Sequence, residues 1–401
     1  MSLKNYYYVV QSAQQQTRFA TQNLVLKKGY AMANVLLPSM YGVDYAETAV
    51  GTRGFSLQFH ITAECDQQCK HCYMYNTPSY YSQIDNTMSK SMMFNLIDEY
   101  FSFLDEFHCV GAFIAITGGD PLLSPHFWDI LQYIQDLGRV QCTIAILGNP
   151  YHVDETSAKK MKEFGVSHYQ ISLDGRREVH DSIRKPGSFD DSIRALEVLH
   201  KAGIHTTAAM TVSKLNCDEI IPLYDYLRSK PFVDSFGFDR MVPVGNGEDM
   251  KKELFTPHEY RQLLFDVYKH EVLNGDGMPI SKKEQLWKLL FFELGLIDPI
   301  DKTKGSHYRA GCHAGTAAID ILSDGTVLAC RRLELEAGKY PENSLRDIVI
   351  NNEVTKTIRQ RDKYEGCSSC EANLVCRGCP AMKYAFTGSC YGKEPYCWRM
   401  G

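Results

Sequence analysis

The chain has no apolar run approaching the ~20 residues needed to cross a bilayer, so no membrane partner is expected. It has no excess of positive charge. Lys and Arg number 43 against 48 Asp and Glu, and the net charge of −5 argues against a general nucleic-acid binder. Neither a short internal repeat nor a low-complexity tract is present. The opening, Met1-Ser2-Leu3-Lys4-Asn5-Tyr6, lacks the basic and then apolar order of a secretory signal, so the expected compartment is the reducing cytoplasm. What is left is an ordinary globular composition in 401 residues, enough for two or three domains around a substantial core.

Cysteine, by contrast, is abundant, and its 14 positions are uneven. Three lie within residues 65–72, eight lie between 312 and 397, and three are scattered between. Secreted disulfide scaffolds are usually much shorter, and in a reducing compartment clustered cysteines point to metal.

From about residue 54, short β-branched runs alternate with helical patterns. Strands are predicted at Phe55–Ile61, Val110–Ile116, Val140–Leu147, Val166–Leu173, Thr206–Val212 and Ser235–Val242. Helices are predicted between them at Ser91–Phe107, Pro125–Leu137, Ala158–Phe164, Ser188–Ala202 and Ile220–Arg228. This order argues for βαβ units and a parallel sheet, with too few strands for a closed eight-stranded barrel. The expected fold is α/β: an open, partial (β/α)6 parallel barrel with a small Cys-rich C-terminal domain. Residues 1–50 read as an N-terminal cap or arm, 51–245 as the barrel, 246–305 as a helical bridge and 306–401 as the Cys-rich domain. In parallel α/β folds ligands sit at the C-terminal ends of strands, and the motifs below fall there.

The first strand ends in Cys65-Asp66-Gln67-Gln68-Cys69-Lys70-His71-Cys72-Tyr73. A [4Fe–4S] cube normally takes four protein ligands, so three thiolates leave one iron open to a small molecule. A zinc loop with its fourth ligand elsewhere is the other reading. The spacing, with a ring residue (His71) before the last Cys, resembles the radical S-adenosylmethionine (SAM) superfamily. That resemblance implies Cys65, Cys69 and Cys72 as the cluster ligands and catalytic centre, with SAM on the open iron and His71 and Tyr73 beside it.

Other motifs extend the likeness. Thr117-Gly118-Gly119-Asp120-Pro121 stands where the superfamily usually has Gly-Gly-Glu-Pro. Gly118 and Gly119 allow close backbone approach to a ligand, and Asp120 could take the methionine ammonium. Leu147-Gly148-Asn149-Pro150 stands where relatives often carry Thr-Asn-Gly, making Asn149 either a SAM contact or a plain loop residue. Ile171-Ser172-Leu173-Asp174-Gly175 and the stretch after it resemble the ribose-motif region of the peptide-modifying branch. The resemblance gives Ser172 to ribose or carboxylate and Arg184 to the SAM carboxylate, for which an Arg fork is suited. Asp174 reads as a second contact or as a turn or helix cap. Met241 and Val212 read as flanks of the adenine or as core.

The C-terminal set runs Cys312, Cys330, Cys367, Cys370, Cys376, Cys379, Cys390 and Cys397, with a β-hairpin turning at Asp324-Gly325 between the first two. It resembles the SPASM extension of radical SAM peptide maturases, though Cys376 and Cys379 are two residues apart where three is common. The resemblance assigns Cys367, Cys370, Cys376 and Cys397 to one auxiliary [4Fe–4S] cluster and Cys312, Cys330 and Cys379 to a second. Lys304–Gly311 holds no further Cys, so Cys390 or a nearby His completes the second set, or one iron stays open. Zinc ribbons are the alternative. Cys109, Cys142 and Cys217 read as small buried side chains.

These resemblances imply reductive cleavage of SAM to a 5′-deoxyadenosyl radical. The implied substrate is a peptide or protein, most simply a ribosomally made peptide gaining a thioether or related crosslink. The implied electron donor is a flavodoxin or ferredoxin. A sulfatase-type maturase is the nearest competitor, but those relatives place Asp directly after the Cys matching Cys330, where this chain has Arg331. A zinc-stabilised binding protein is the alternative outside enzymes.

Overall fold

The computed structural model describes residues 54–400 apart from Val110, Val140, 275–277, 298–311 and 361–362. The expected cap at 1–50 and the stretch just before Cys312 lie outside the described residues.

Six strands form at the expected places: β1 (Phe55–His60), β2 (Ala112–Thr117), β3 (Cys142–Leu147), β4 (Val166–Ser172), β5 (His205–Val212) and β6 (Ser235–Arg240). Each pairs parallel with the next. Between them run α1 (Pro78–Asp85), α2 (Lys90–Glu106), α3 (Phe127–Asp136), α4 (Glu155–Glu163), α5 (Arg177–Ile183), α6 (Ser188–Lys201) and α7 (Ile220–Arg228). The alternation of each strand sorts its side chains. Phe55, Leu57 and Phe59 are buried against the helical layer, and the hydroxyl of Tyr100 on α2 donates to the Phe55 carbonyl at 2.6 Å. Ser56, Gln58 and His60 therefore face the other way, into the barrel. The amphipathic spacing Met93, Leu96, Ile97, Tyr100, Leu104 buries one face of α2, whose N-terminus is capped by the Ser89 side chain.

The chain then forms α8 (Pro257–Leu273), β7 (Ile280–Ser281) and α9 (Leu286–Glu293). After it come β8 (Ala318–Ile321), β9 (Thr326–Leu328), β10 (Glu336–Lys339), α10 (Leu345–Ile350), α11 (Glu353–Arg359) and α12 (Pro380–Thr387). The hairpin β8–β9 turns at Gly325, which has a φ of +86° and where a Cβ would lie 2.3 Å from the Tyr340 carbonyl, so no side chain fits. β8 pairs parallel with β1, from Ser56↔Ala318 to Phe59↔Ile321, so the sheet is continuous in the order β10-β9-β8-β1-β2-β3-β4-β5-β6-β7. The hairpin covers the backbone edge that β1 would otherwise expose. It also sets Asp320 beside Gln58, on the barrel side.

Candidate active site

The loop after β1 crosses the C-terminal ends of the strands and carries the three clustered cysteines. The Cys72 amide closes on the Cys69 carbonyl at 3.1 Å, which keeps the second and third thiols on one tight turn. Cys69 is buried, and Cys65 and Cys72 are half-buried. Two neighbours donate to the sulfurs: Asn149 Nδ2 to Cys65 Sγ at 3.3 Å, and Arg184 Nη1 to Cys69 Sγ at 3.3 Å. Burial pushes the Cys69 thiol up to about 12 and raises Cys72 as well. These thiols are not spontaneous thiolates, so a bound metal must supply the deprotonation.

The spread of the thiols distinguishes the metals. A tetrahedral zinc site draws thiolates to within about 3.8 Å of one another. Among the described residues, Asp66, Asp120 and His152 are the only three potential ligands whose atoms gather within 4.8 Å, and no group of cysteines does so. The three thiols are therefore not gathered as a single zinc ion would gather them.

Asp174 organises the loop. Its carboxylate accepts from His71 Nε2 at 2.9 Å, Arg184 Nε at 2.6 Å and the Thr211 amide at 2.9 Å. Burial alone would raise its pKa, but Arg184 and His71 outweigh it and hold the carboxyl well below the usual range. Asp174 is thus no helix cap, since α5 has Arg176 at its N-cap. Arg184 spends its Nε and Nη1 on Asp174, Gln67 and Cys69, bracing the cysteine loop from below.

Gly118 and Gly119 have a physical role other than ligand approach. A Cβ on Gly118 would lie 2.2 Å from the Thr62 carbonyl, and one on Gly119 would lie 2.1 Å from that of Glu64. The bare backbones let Gly119 N reach Thr62 O at 3.0 Å and Asp120 N reach Glu64 O at 2.7 Å. The glycines therefore seat one loop on the other. Asp120 is fully buried, with Oδ1 taking the Leu122 and Asn149 amides and Oδ2 left without a partner. Burial raises its pKa to about 6. A buried, unpartnered carboxylate oxygen beside the cysteine loop is suited to an ammonium, as the methionine moiety of SAM presents.

Ser172 ends β4, half-buried and paired in register with Ala209. Met241 follows β6 almost fully buried, its amide donating to Val212 O at 3.0 Å, as a core residue would be. Tyr73 lies under the Arg331 guanidinium, 5.1 Å from the ring centre.

Cys312, Cys330 and Cys379 line one cavity together with Asp239, Arg240 and Arg332. Cys367, Cys376 and Cys397 have thiols raised in pKa, first by burial and then by neighbouring thiols of this group, Cys370 among those neighbours. Cys390 is buried near Cys379 without lining the cavity, and His313, next to Cys312, is half-buried with Nδ1 unpartnered. Cys109 and Cys142 pack half-buried against the barrel core, and Cys217 is half-buried at its own turn.

Several residues of this mouth carry no motif. Asp239 sits one residue before the end of β6 and faces Arg332 at 4.0 Å. His60 and Asp320 are buried, each with one unpartnered side-chain atom, and Arg331 acts electrostatically on both. The only sequence signal was the Arg331-Arg332 pair directly after Cys330.

Two family profiles match the chain: the radical SAM superfamily over residues 59–227, and the SPASM iron–sulfur cluster-binding domain over residues 312–371. The AdoMet-dependent heme synthase of Methanosarcina barkeri is 29% identical over 85% of this chain and 95% of its own length. The mycofactocin maturase MftC of Mycolicibacterium smegmatis is 26% identical over 85% of this chain and 82% of its own. The structure of Streptococcus suis SuiB bound to its precursor peptide SuiA superposes with a TM-score of 0.67 at 17% identity, covering 86% of this chain and 76% of that one. With the cysteine loop, the Gly-Gly-Asp turn and the two C-terminal sets in place, this chain belongs to the radical SAM superfamily, as a SPASM-bearing enzyme that works with SAM and [4Fe–4S] clusters.

Proposed function

We propose that this enzyme modifies a ribosomally made peptide, joining a cysteine sulfur to a carbon as a thioether. When bound, SAM and its cluster would supply a 5′-deoxyadenosyl radical that takes hydrogen from an unactivated C–H bond; as the C–S bond forms, the cysteine thiol would give up its proton and the one remaining electron would pass to an auxiliary cluster. The chain's own residues do the rest. Cys65, Cys69 and Cys72 hold the cube, Asp120 Oδ2 holds the ammonium, and Asp174 with Arg184 keeps the loop rigid.

The observation that carries the thioether is the cavity beside the barrel mouth. Among the described residues it presents three thiols, Cys312, Cys330 and Cys379, and no fourth. Three thiolates on a cube leave one iron able to take a substrate sulfur. SuiB, of the same fold, is named for its complex with a precursor peptide, and MftC is named as a maturase. Arg331 after Cys330 speaks against the sulfatase-type competitor. An external donor such as a flavodoxin or ferredoxin completes the reading.

A second reading has its own observation. A heme synthase is 29% identical to this chain, and Arg331 and Arg332 would take porphyrin carboxylates as readily as peptide ones.

The test is a thiol titration of reconstituted enzyme, followed by EPR. A short cysteine peptide should change one auxiliary signal, and its serine counterpart should not. A Cys312→Ala variant should lose the response. A signal indifferent to thiol, but shifted by a porphyrin carboxylate, would favour the second reading.

A further inference from the structure

Lys383 lies on α12, one turn after Cys379, and its side chain is wholly withdrawn from solvent. Its Nζ stands 3.9 Å from Cys367 Sγ and 3.5 Å above the centre of the Tyr364 ring. Among the described residues it forms no ion pair. The nearest acidic side chain, Glu394, is engaged by Arg240 at 2.6 Å and by the Cys379 amide at 2.6 Å. A dry, unpaired ammonium costs several kcal/mol, and a chain keeps one only where an anion meets it. The one anion the local chemistry offers is the thiolate set of Cys367, Cys370, Cys376 and Cys397.

The other cysteine sets are charged differently. Arg184 donates to Cys69, but Asp174 neutralises it at 2.6 Å, and the donor to Cys65 is the uncharged Asn149. Beside Cys330, Arg332 faces Asp239. Beside the four-cysteine set, Lys383 is a buried cation that forms no ion pair among the described residues.

Cluster potentials follow net charge, hydrogen bonds to sulfur and exposure to solvent. Reduction adds one negative charge to the cube, so a fixed cation donating to a ligand sulfur favours the reduced state. We propose that Lys383 is the tuning residue of the auxiliary cluster held by Cys367, Cys370, Cys376 and Cys397. It raises that cluster's potential and makes it the first of the three to be reduced. This rests on the reading of those four cysteines as cluster ligands. Lys383 touches no substrate and acts through the Cys367 sulfur.

The experiment is an anaerobic potentiometric EPR titration of the reconstituted full chain. Cys367→Ala identifies the signal, which should disappear together with about four irons per chain. If iron and signal persist, the ligand reading fails, whatever Lys383 does. In the chain with all cysteines intact, this signal should appear at the highest potential of the three. Lys383→Met, with iron content unchanged, should lower the reduced-to-oxidised ratio at the parent midpoint at least about tenfold, a shift of 59 mV for one electron. Lys383→Gln keeps a donor without the charge and should fall between, while Lys383→Arg should stay near the parent. A full-iron Lys383→Met protein with an unmoved midpoint would overturn the proposal. So would loss of the four irons in both Met and Gln variants, since Lys383 would then be a structural prop and not a tuning charge.

Discussion

At the scale of the single residue, Asp120 holds a conflict between folding and binding. Its folded pKa of about 6 lies above the ordinary carboxylate value of about 3.9. A raised carboxyl contributes its stability below the unfolded pKa, and that stability is lost as pH rises through 6. Asp120→Asn should therefore stabilise the SAM-free protein by about 3 kcal/mol at pH 8, and by much less at pH 4, close to the unfolded pKa. SAM affinity should fall at the same time, because the unpartnered oxygen that meets the ammonium loses its charge. Denaturant titration at both pH values, beside SAM binding by calorimetry, reads the two effects. Equal stabilisation at both pH values would mean the carboxyl is not destabilised by burial. In the sequence Asp120 stood out only through the likeness of Gly118-Gly119-Asp120-Pro121 to a superfamily motif, since a Gly-Gly turn by itself is ordinary. Asp174 was less legible. Its role comes from His71, Arg184 and Thr211, residues up to 103 positions away in the chain, and no local pattern records such a meeting.

At the scale of the element, two loops must touch for the cysteine loop to keep its shape. Gly119→Ala would place a methyl 2.1 Å from the Glu64 carbonyl, so one backbone must move and the bonds from Gly119 N and Asp120 N must break. The expected outcome is selective. Iron should fall from about twelve to about eight per chain, with SAM cleavage lost and both auxiliary EPR signals kept. An alanine variant with full iron and intact cleavage would show that the loop contact is dispensable. The six barrel strands were readable because short β-branched runs alternate with helical patterns along the chain. The pairing of β8 with β1 was not. It joins segments more than 250 residues apart, and the hairpin's own turn signal says nothing about which edge it will cover. β7, only two residues long, offers no period to detect.

At the scale of the whole molecule, one cation ties the barrel to the Cys-rich segment. Arg240, at the end of β6, is buried between Glu284, before α9, at 2.8 Å and Glu394, after α12, at 2.6 Å. The rings of Tyr260 and Tyr396 stand 5.3 and 4.8 Å from its guanidinium. Burial outweighs pairing at Glu284, whose pKa is raised, while the two carboxylates drive Arg240 further upward. Desolvation at both ends means the cluster need not add net stability, but removing one member strands the others. Arg240→Met should cost about 3–5 kcal/mol, since two dry carboxylates would then face each other. Arg240→Met with Glu284→Gln and Glu394→Gln should recover most of that loss, because nothing charged remains unpaired. The same triple variant should still disturb the EPR signal of the Cys312, Cys330 and Cys379 set, because Glu394 also fixes the Cys379 amide and Arg240 lines that cavity. Chemical unfolding of the three proteins, with EPR on each, separates the two roles. If the triple variant is no more stable than Arg240→Met, the network's charges are not what couples β6 to the segment after α12. If its spectrum equals the parent's, the network holds the fold together without shaping the cavity lined by Cys312, Cys330 and Cys379.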